Sequence, residues 1–376
     1  MRFAALIIAC LTLASCARNE IIMPLAVADK RVADVRAIHV ATLRGAGADG
    51  LSPYSGERGK DLSFGRIDVS IPRDREAGTI VYPRIVPNLK EQFAATGYVT
   101  GRDERQFVAA IDRQLAALPA DQRSVFVFVH GYNTNFAAGV YRQAQMFHDF
   151  GFSGVAVNFS WASAGSTPLY LYDRDSAQLA RNGLRRTLIA LTKSKGKSIM
   201  LVAHSMGGLV TMETLRDIGL RGEKKLLKRI DTLVLASPDV DPRVFREQLS
   251  HIDPLPQPFV IFVSRRDRAL LASQTLRGGQ ERIGEGGNIE ELQKAGITVI
   301  DLTDVSDGQD ATHHTTFATS KTLFSLAKSG AFSRKALLGQ GQRKADPLKP
   351  IGDGLGAITD LAATIVYLPA RIAGVR

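Results

Sequence analysis

The stretch Ser198-Ile-Met-Leu-Val-Ala-His-Ser-Met-Gly-Gly-Leu209 constrains this chain more than any other. Ile199 to Val202 is a short apolar run of buried-strand character, and it stops abruptly at Ala203-His204-Ser205-Met206-Gly207. Leu209, Val210, Met212, Leu215 and Ile218 then recur at helical spacing. A strand, a sharp turn with a serine at its apex and a helix together make a nucleophile elbow. The turn strains the serine backbone, so the positions two before and two after it must be small. They are Ala203 and Gly207, and Gly208 lets the helix approach the sheet. Alanine in place of the usual first glycine of G-x-S-x-G is a departure of one methyl group.

The surrounding pattern predicts the fold. Val35 to Leu43 and Asp68 to Ile71 read as strands separated by a Gly-rich loop from Gly45 to Gly65. Phe107, Ile111, Leu115 and Leu118 place a helix over Gln106 to Ala117. Ser124 to Val129, Ser153 to Ser160, Thr232 to Ala236, Phe259 to Val263 and Ile297 to Leu302 read as further strands. Phe136 to Phe150 and Ser176 to Leu191 read as helices, and another begins near Thr316. Strands alternating with helices predict an α/β protein with a doubly wound, mostly parallel sheet flanked by helices. That domain is assigned to residues 35–328. Residues 329–376 read as a polar linker and an apolar tail; Leu355 to Ile372 is either an interfacial helix or a helix packed on the domain.

The amino end carries a different signal. Arg2, the apolar stretch Phe3 to Leu13 and Leu13-Ala14-Ser15-Cys16 resemble a bacterial lipobox, so residues 1–15 read as a lipoprotein signal peptide and Cys16 as the acylated residue. The segment is too short to span a bilayer, and acylation anchors without spanning. Residues 16–34 then form a tether. This predicts an exported, membrane-anchored protein of the cell envelope, on the periplasmic side. Cys10 and Cys16 are the two cysteines; with one removed and one acylated, no disulfide or cysteine-held metal remains. The formal charge is +11, with basic clusters at Arg181 to Lys197, Lys224 to Arg229 and Arg265 to Arg268. No nucleic-acid motif accompanies them, and aromatics are not interleaved with them. They read either as solvated helix faces or as a surface for anionic lipid or other envelope polyanions.

A serine hydroxyl is a weak nucleophile unless a base adjoins it. That base is commonly a histidine oriented by a carboxylate, and behind an elbow the order is Ser, Asp or Glu, His. His251, His313 and His314 follow Ser205. His251 lies in a Pro-rich connection, whereas His313 and His314 follow the last strand, so His314 is the expected base. Asp267, just beyond the strand Phe259 to Val263, is the expected acid, with Asp239 as the alternative. Asp239 and Asp241 also suit capping of a helix near Pro242. The two oxyanion N–H groups are assigned to Met206 and to Tyr132 in His130-Gly131-Tyr132, with His130 bracing that loop. Ala162 to Asp173 reads either as a cap over the site, with Leu169, Tyr170, Leu171 and Tyr172 as wall, or as a packed connector. No cofactor or metal is required.

The motifs VHGYNT at 129–134, NFSW at 158–161, AHSMGG at 203–208, SPDVD at 237–241 and SRRDRAL at 264–270 resemble the α/β-hydrolase superfamily. In particular the chain is similar to a bacterial esterase/lipase-like family catalogued as a domain of unknown function. That family has a Gly-His-Ser-Tyr-Phe-like segment at its base; His313-His314-Thr315-Thr316-Phe317 occupies the place here and departs at three positions. The resemblance implies an α/β-hydrolase fold and ester hydrolysis through an acyl-enzyme, on a small-molecule ester or lipid. The alternatives are an acyltransferase or amidase with the same triad, and a non-catalytic envelope scaffold. Neither the substrate nor the oligomeric state is legible.

Overall fold

The computed structural model describes residues 21–22, 27–48, 50–332, 337 and 365–367. Cys16, the signal peptide and most of the linker and tail lie outside the described residues. The strands are β1 (Ala33–Ala46), β2 (Tyr54–Pro72), β3 (Ala94–Arg102), β4 (Ser124–Val129), β5 (Val155–Ser160), β6 (Ser198–His204), β7 (Ile230–Ala236), β8 (Phe259–Val263), β9 (Thr298–Asp301) and β10 (Ile365–Tyr367). They form one sheet in the order β10-β9-β8-β7-β6-β4-β5-β1-β2-β3. Pairing is parallel from β1 through β9, and antiparallel for β1/β2, β2/β3 and β9/β10. This is a doubly wound, mostly parallel α/β sheet.

Strand β4 shows why helices cover both faces. Val125, Val127 and Val129 enter one core, Phe126 and Phe128 the other, as period-two alternation requires. The first core is closed by α1 (Glu104–Ala116), α3 (Tyr170–Thr192), α4 (Met206–Leu220) and α5 (Pro242–Ser250). The second is closed by α2 (Phe136–Asp149) and by the helix Lys321–Lys328. A strand apolar at every position is stable only under such double cover, each fully buried side chain contributing about 1.5–3 kcal/mol.

Several expectations are corrected. Much of the stretch from Gly45 to Gly65, read as a loop, belongs to the 19-residue β2, and β3 was not foreseen. Both strands are rich in Gly, Ser and charge, and register shifts at Thr42/Arg44 and Arg44/Ala46 break the alternation that would mark them. Helix α3 starts at Tyr170, so the second half of the supposed cap is its first turn. In the tail, Ile365–Tyr367 pairs with Val299–Asp301 as an edge strand and is not helical. Within the supposed tether, Ile21 and Ile22 are buried, and Ala33 and Asp34 already belong to β1.

Candidate active site

Four non-glycine residues among the described ones have positive φ: Asn133 (52°), Ser205 (53°), Ser237 (45°) and His313 (58°). All four lie in turns beyond the carboxyl ends of the parallel strands. Backbone held in this region costs on the order of 1–3 kcal/mol per residue and persists only where the surroundings enforce it. In doubly wound sheets, ligands gather at this end.

Ser205 sits between β6 and α4 at φ 53°, ψ −123°. Its N–H donates to Ala236 O (2.9 Å), and its carbonyl accepts from Gly208 N (2.9 Å) and Asp239 N (3.2 Å). Its side chain does not cap α4, so the hydroxyl is not committed to the helix. The tightness of the elbow is measurable at Gly207, where a β-carbon would stand 2.5 Å from the carbonyl oxygens of both Val129 and His130. Gly207→Ala therefore pushes the elbow off the sheet. The expected outcome is destabilisation by at least about 1–3 kcal/mol together with lost activity, read from urea unfolding and turnover.

The loop after β4, in which the oxyanion donor is expected, lies against Ser205. A β-carbon on Gly131 would come within 2.8 Å of Ser205 Cβ, so glycine is what lets this loop pass so close to the serine. Met206 opens α4, and a first-turn N–H has no acceptor within its own helix. His130 is buried beneath the loop and stacked on Trp161, with ring centroids 5.0 Å apart. His130 Nδ1 lies 2.9 Å from Gly131 O, and Nε2 lies 3.1 Å from Trp161 O and 3.3 Å from Arg44 Nη2. Burial, with Arg44 nearby, depresses the His130 pKa to about 3. It therefore stays neutral and braces the loop.

Two further braces were not anticipated. Asp173 accepts from Asn133 N (3.0 Å), Ala164 N (2.7 Å) and the Ser163 hydroxyl. Arg44, buried with its pKa depressed by burial to about 9, reaches Ser160 Oγ, Ser163 O and Thr134 O, each at 2.7 Å. Leu169 and Leu171, expected as a wall, point outward, while Tyr170 is buried with its ring 5.2 Å from that of Tyr132.

The structure brings His314 and Asp267 together. His314 Nδ1–H donates to Asp267 Oδ2 at 2.7 Å, while Oδ1 of the same carboxylate caps the helix α6 (Arg268–Leu276) through Leu270 N at 3.0 Å. Asp267 is fully buried. With Nδ1 protonated, Nε2 carries the lone pair. Burial disfavours the His314 imidazolium, but the hydrogen bond and charge of Asp267, with Asp310 and Asp239 behind, outweigh it and raise the pKa above the ordinary 6.5.

The loop of His314 has its own clamp. Asp310 Oδ2 accepts from the N–H groups of His314 and Thr315 at 2.9 Å each, and Oδ1 accepts from Thr312 N at 2.9 Å. Burial opposes the Asp310 carboxylate, but these bonds hold its pKa down near 2. Arg268 N donates to Thr312 O (2.9 Å), joining the helix capped by Asp267 to the loop of His314. His204, directly before Ser205, packs against His314 with ring centroids 4.5 Å apart and planes tilted by 47°, and donates through Nε2 to His314 O at 3.2 Å. Burial, and then the charge of His314, keep His204 neutral.

The remaining candidates fall elsewhere. The Asp239 carboxylate is engaged by Tyr170 OH (2.9 Å) and Ser273 Oγ (2.9 Å), with Arg282 Nε at 3.4 Å and Arg277 Nη1 at 3.6 Å. Asp241 caps α5 through Arg243 N and Val244 N. His251 pairs with Glu247 on the same helix face, and His313 supplies the strained turn. Among the described residues, no group of three or more His, Cys, Asp or Glu could hold a metal ion, and no helix is long and apolar enough to cross a membrane.

Residues 107–330 match the family described as alpha/beta hydrolase of unknown function (DUF900). The chain belongs to that family. No curated protein matches it. Solved structures to which this α/β hydrolase is similar include a predicted CIB-like hydrolase from Thermoplasma acidophilum, at 12% identity over 56% of this chain and 86% of that one, TM-score 0.31. Another is a structure from an analysis of two fungal esterases of Rhizomucor miehei, at 12% identity over 79% and 82%, TM-score 0.35. A third is esterase B from Lactobacillus rhamnosis with a tributyrin phosphonate inhibitor, at 15% identity over 58% and 81%, TM-score 0.31. Likeness at this level carries no argument about substrate; the family and the strand order carry the fold.

Proposed function

We propose that this α/β hydrolase is a serine carboxylesterase. Ser205 attacks the ester carbonyl, His314 Nε2 takes the hydroxyl proton, and Asp267 holds the imidazole in the required tautomer. The N–H groups of Met206 and Tyr132 receive the tetrahedral oxyanion. Collapse expels the alcohol, which takes its proton from His314, and leaves an acyl group on Ser205. Water then attacks, again giving its proton to His314; the acyl–Oγ bond breaks, Ser205 regains its proton from His314, and the acid is released. No cofactor takes part. The observation that carries this reading is the 2.7 Å Asp267–His314 bond, with His314 packed on His204, the residue before an elbow serine whose hydroxyl is free of capping.

A fluorophosphonate probe tests it, because such probes phosphonylate activated serines. Covalent labelling that disappears in Ser205→Ala is the expected result. Absence of labelling overturns the reading and favours a non-catalytic envelope scaffold. Transfer of the acyl group to an alcohol or amine acceptor faster than to water would instead mark an acyltransferase, and cleavage of amides an amidase.

The pH profile follows from His314. Its pKa is raised, so below that value the base is protonated and Ser205 is not activated. kcat/KM is expected to climb with pH through a single midpoint above 6.5. A midpoint below 6.5 contradicts the assignment.

The lipobox-like segment supports acylation at Cys16, export and attachment to the envelope membrane on its periplasmic side. Metabolic labelling with a palmitate analogue, lost in Cys16→Ser, is the corresponding test.

A further inference from the structure

The chain enters the domain at the catalytic end. Ile22 N–H donates to Leu51 O at 2.9 Å, and Tyr141 OH donates to Ile21 O at 2.7 Å. Ile22 is fully buried in one core with Tyr54 and Phe136. Phe136 opens α2 directly after the donor loop, and Leu51 and Tyr54 lie in the hairpin between β1 and β2. That hairpin reaches over the carboxyl ends of the parallel strands: Gly56 O accepts from Tyr172 OH, and Arg58 Nη2 donates to Tyr172 O, at the start of α3. Cys16 is five residues before Ile21, and five residues of chain reach at most about 18 Å.

The same end carries the exposed apolar side chains a lipid surface needs. Leu169 and Leu171 are 46% and 75% exposed, and Leu271 and Leu276 on α6 are 44% and 71% exposed. The two pairs flank a seam closed by Tyr170 OH and Ser273 Oγ, 3.0 Å apart. That seam lies over Asp239, whose N–H holds Ser205 O. Exposed Arg265 and Arg268 stand in the adjoining turn, where they face neither Asp nor Glu in an ion pair among the described residues. At the opposite end, ahead of β6 and β7, stand the exposed Lys195, Lys197, Lys225 and Lys228.

From these placements we infer that the catalytic end of the molecule faces the bilayer, with the leucine rim seated among the headgroups, and that the ester is drawn from that lipid surface. The inference rests on acylation at Cys16 and on the esterase reading. A short tether at this end holds the rim against the membrane, and the rim supplies the second contact that stable attachment by acyl chains calls for. A lipid surface dominated by charge alone would instead draw the lysine-rich end inward.

The test reads orientation directly. The full chain carrying Leu171→Cys or Lys225→Cys is labelled with an environment-sensitive dye and reconstituted into phosphatidylcholine–phosphatidylglycerol vesicles. Spin-labelled lipids with the quencher near the headgroup then report depth. The expected result is quenching several-fold stronger at position 171 than at 225. Equal quenching, stronger quenching at 225, or no association with the vesicles overturns the inference. Hydrolysis of a dissolved short-chain ester is followed on the same samples. The expected quenching without hydrolysis supports the orientation and strikes the esterase reading; hydrolysis without the difference in quenching does the reverse.

Discussion

Ser205→Ala is expected to abolish ester hydrolysis and phosphonate labelling while leaving the unfolding transition within about 0.5 kcal/mol of the parent, as for an isolated side-chain truncation without lost contacts. The hydroxyl caps nothing, and the turn is held by backbone bonds from Ser205 N to Ala236 O and from Gly208 N and Asp239 N to Ser205 O. Those bonds survive the substitution. The loss of kcat should be on the order of a millionfold, because removing the nucleophile of a triad disables the unit as a whole. The remaining rate then reflects only the oxyanion donors and substrate binding. Hydrolysis persisting within tenfold of the parent rate would exclude Ser205, whatever its backbone suggests.

Asp267→Asn separates the orienting role of the acid from its structural one. Asparagine keeps an oxygen able to accept from Leu270 N, so the cap on α6 is retained. Its amide, however, presents N–H to His314 Nδ1 and drives the imidazole into the wrong tautomer. The cost should be about 10⁴-fold in kcat, with KM little changed. The same substitution at Asp239 removes charge beside Arg277 and Arg282. Its main effect is therefore expected in the melting temperature, with kcat falling far less. If Asp239→Asn instead carried the large kcat loss, the acid would have to be reassigned.

Legibility from sequence divided along a physical line. Strands β4, β6, β7 and β8 carry apolar runs because both faces are covered, and such runs announce themselves without a partner. Strands β2 and β3 owe their pairing to backbone ladders at the sheet edge, so their sequences carry Gly, Ser and charge and read as loop. The elbow and the neighbouring pair Asp267 and His314 could be placed because each follows a recognisable strand end. The braces could not. Arg44 meets His130 across 86 residues, and Asp173 reaches Asn133 across 40, and no local pattern records such contacts. Asp310 did carry a signal, an aspartate two residues before Thr312 and four before His314, the spacing of a side chain that folds back on its own loop. His204 was visible too, as the residue preceding Ser205, but only the fold reveals that it packs against His314.

The three side chains leave the sheet after β6, β8 and β9, so the histidine is the last to be synthesised. On the proposed reading, a polypeptide still attached to the ribosome presents Ser205 as an ordinary alcohol, roughly a hundred residues before its activating partner exists. Reactivity is therefore withheld through most of translation. A product cleaved near Leu302 would be chemically silent, not indiscriminately reactive. Timing of this kind needs no inhibitor and no pro-segment: it is written into the order in which the strands meet the solvent.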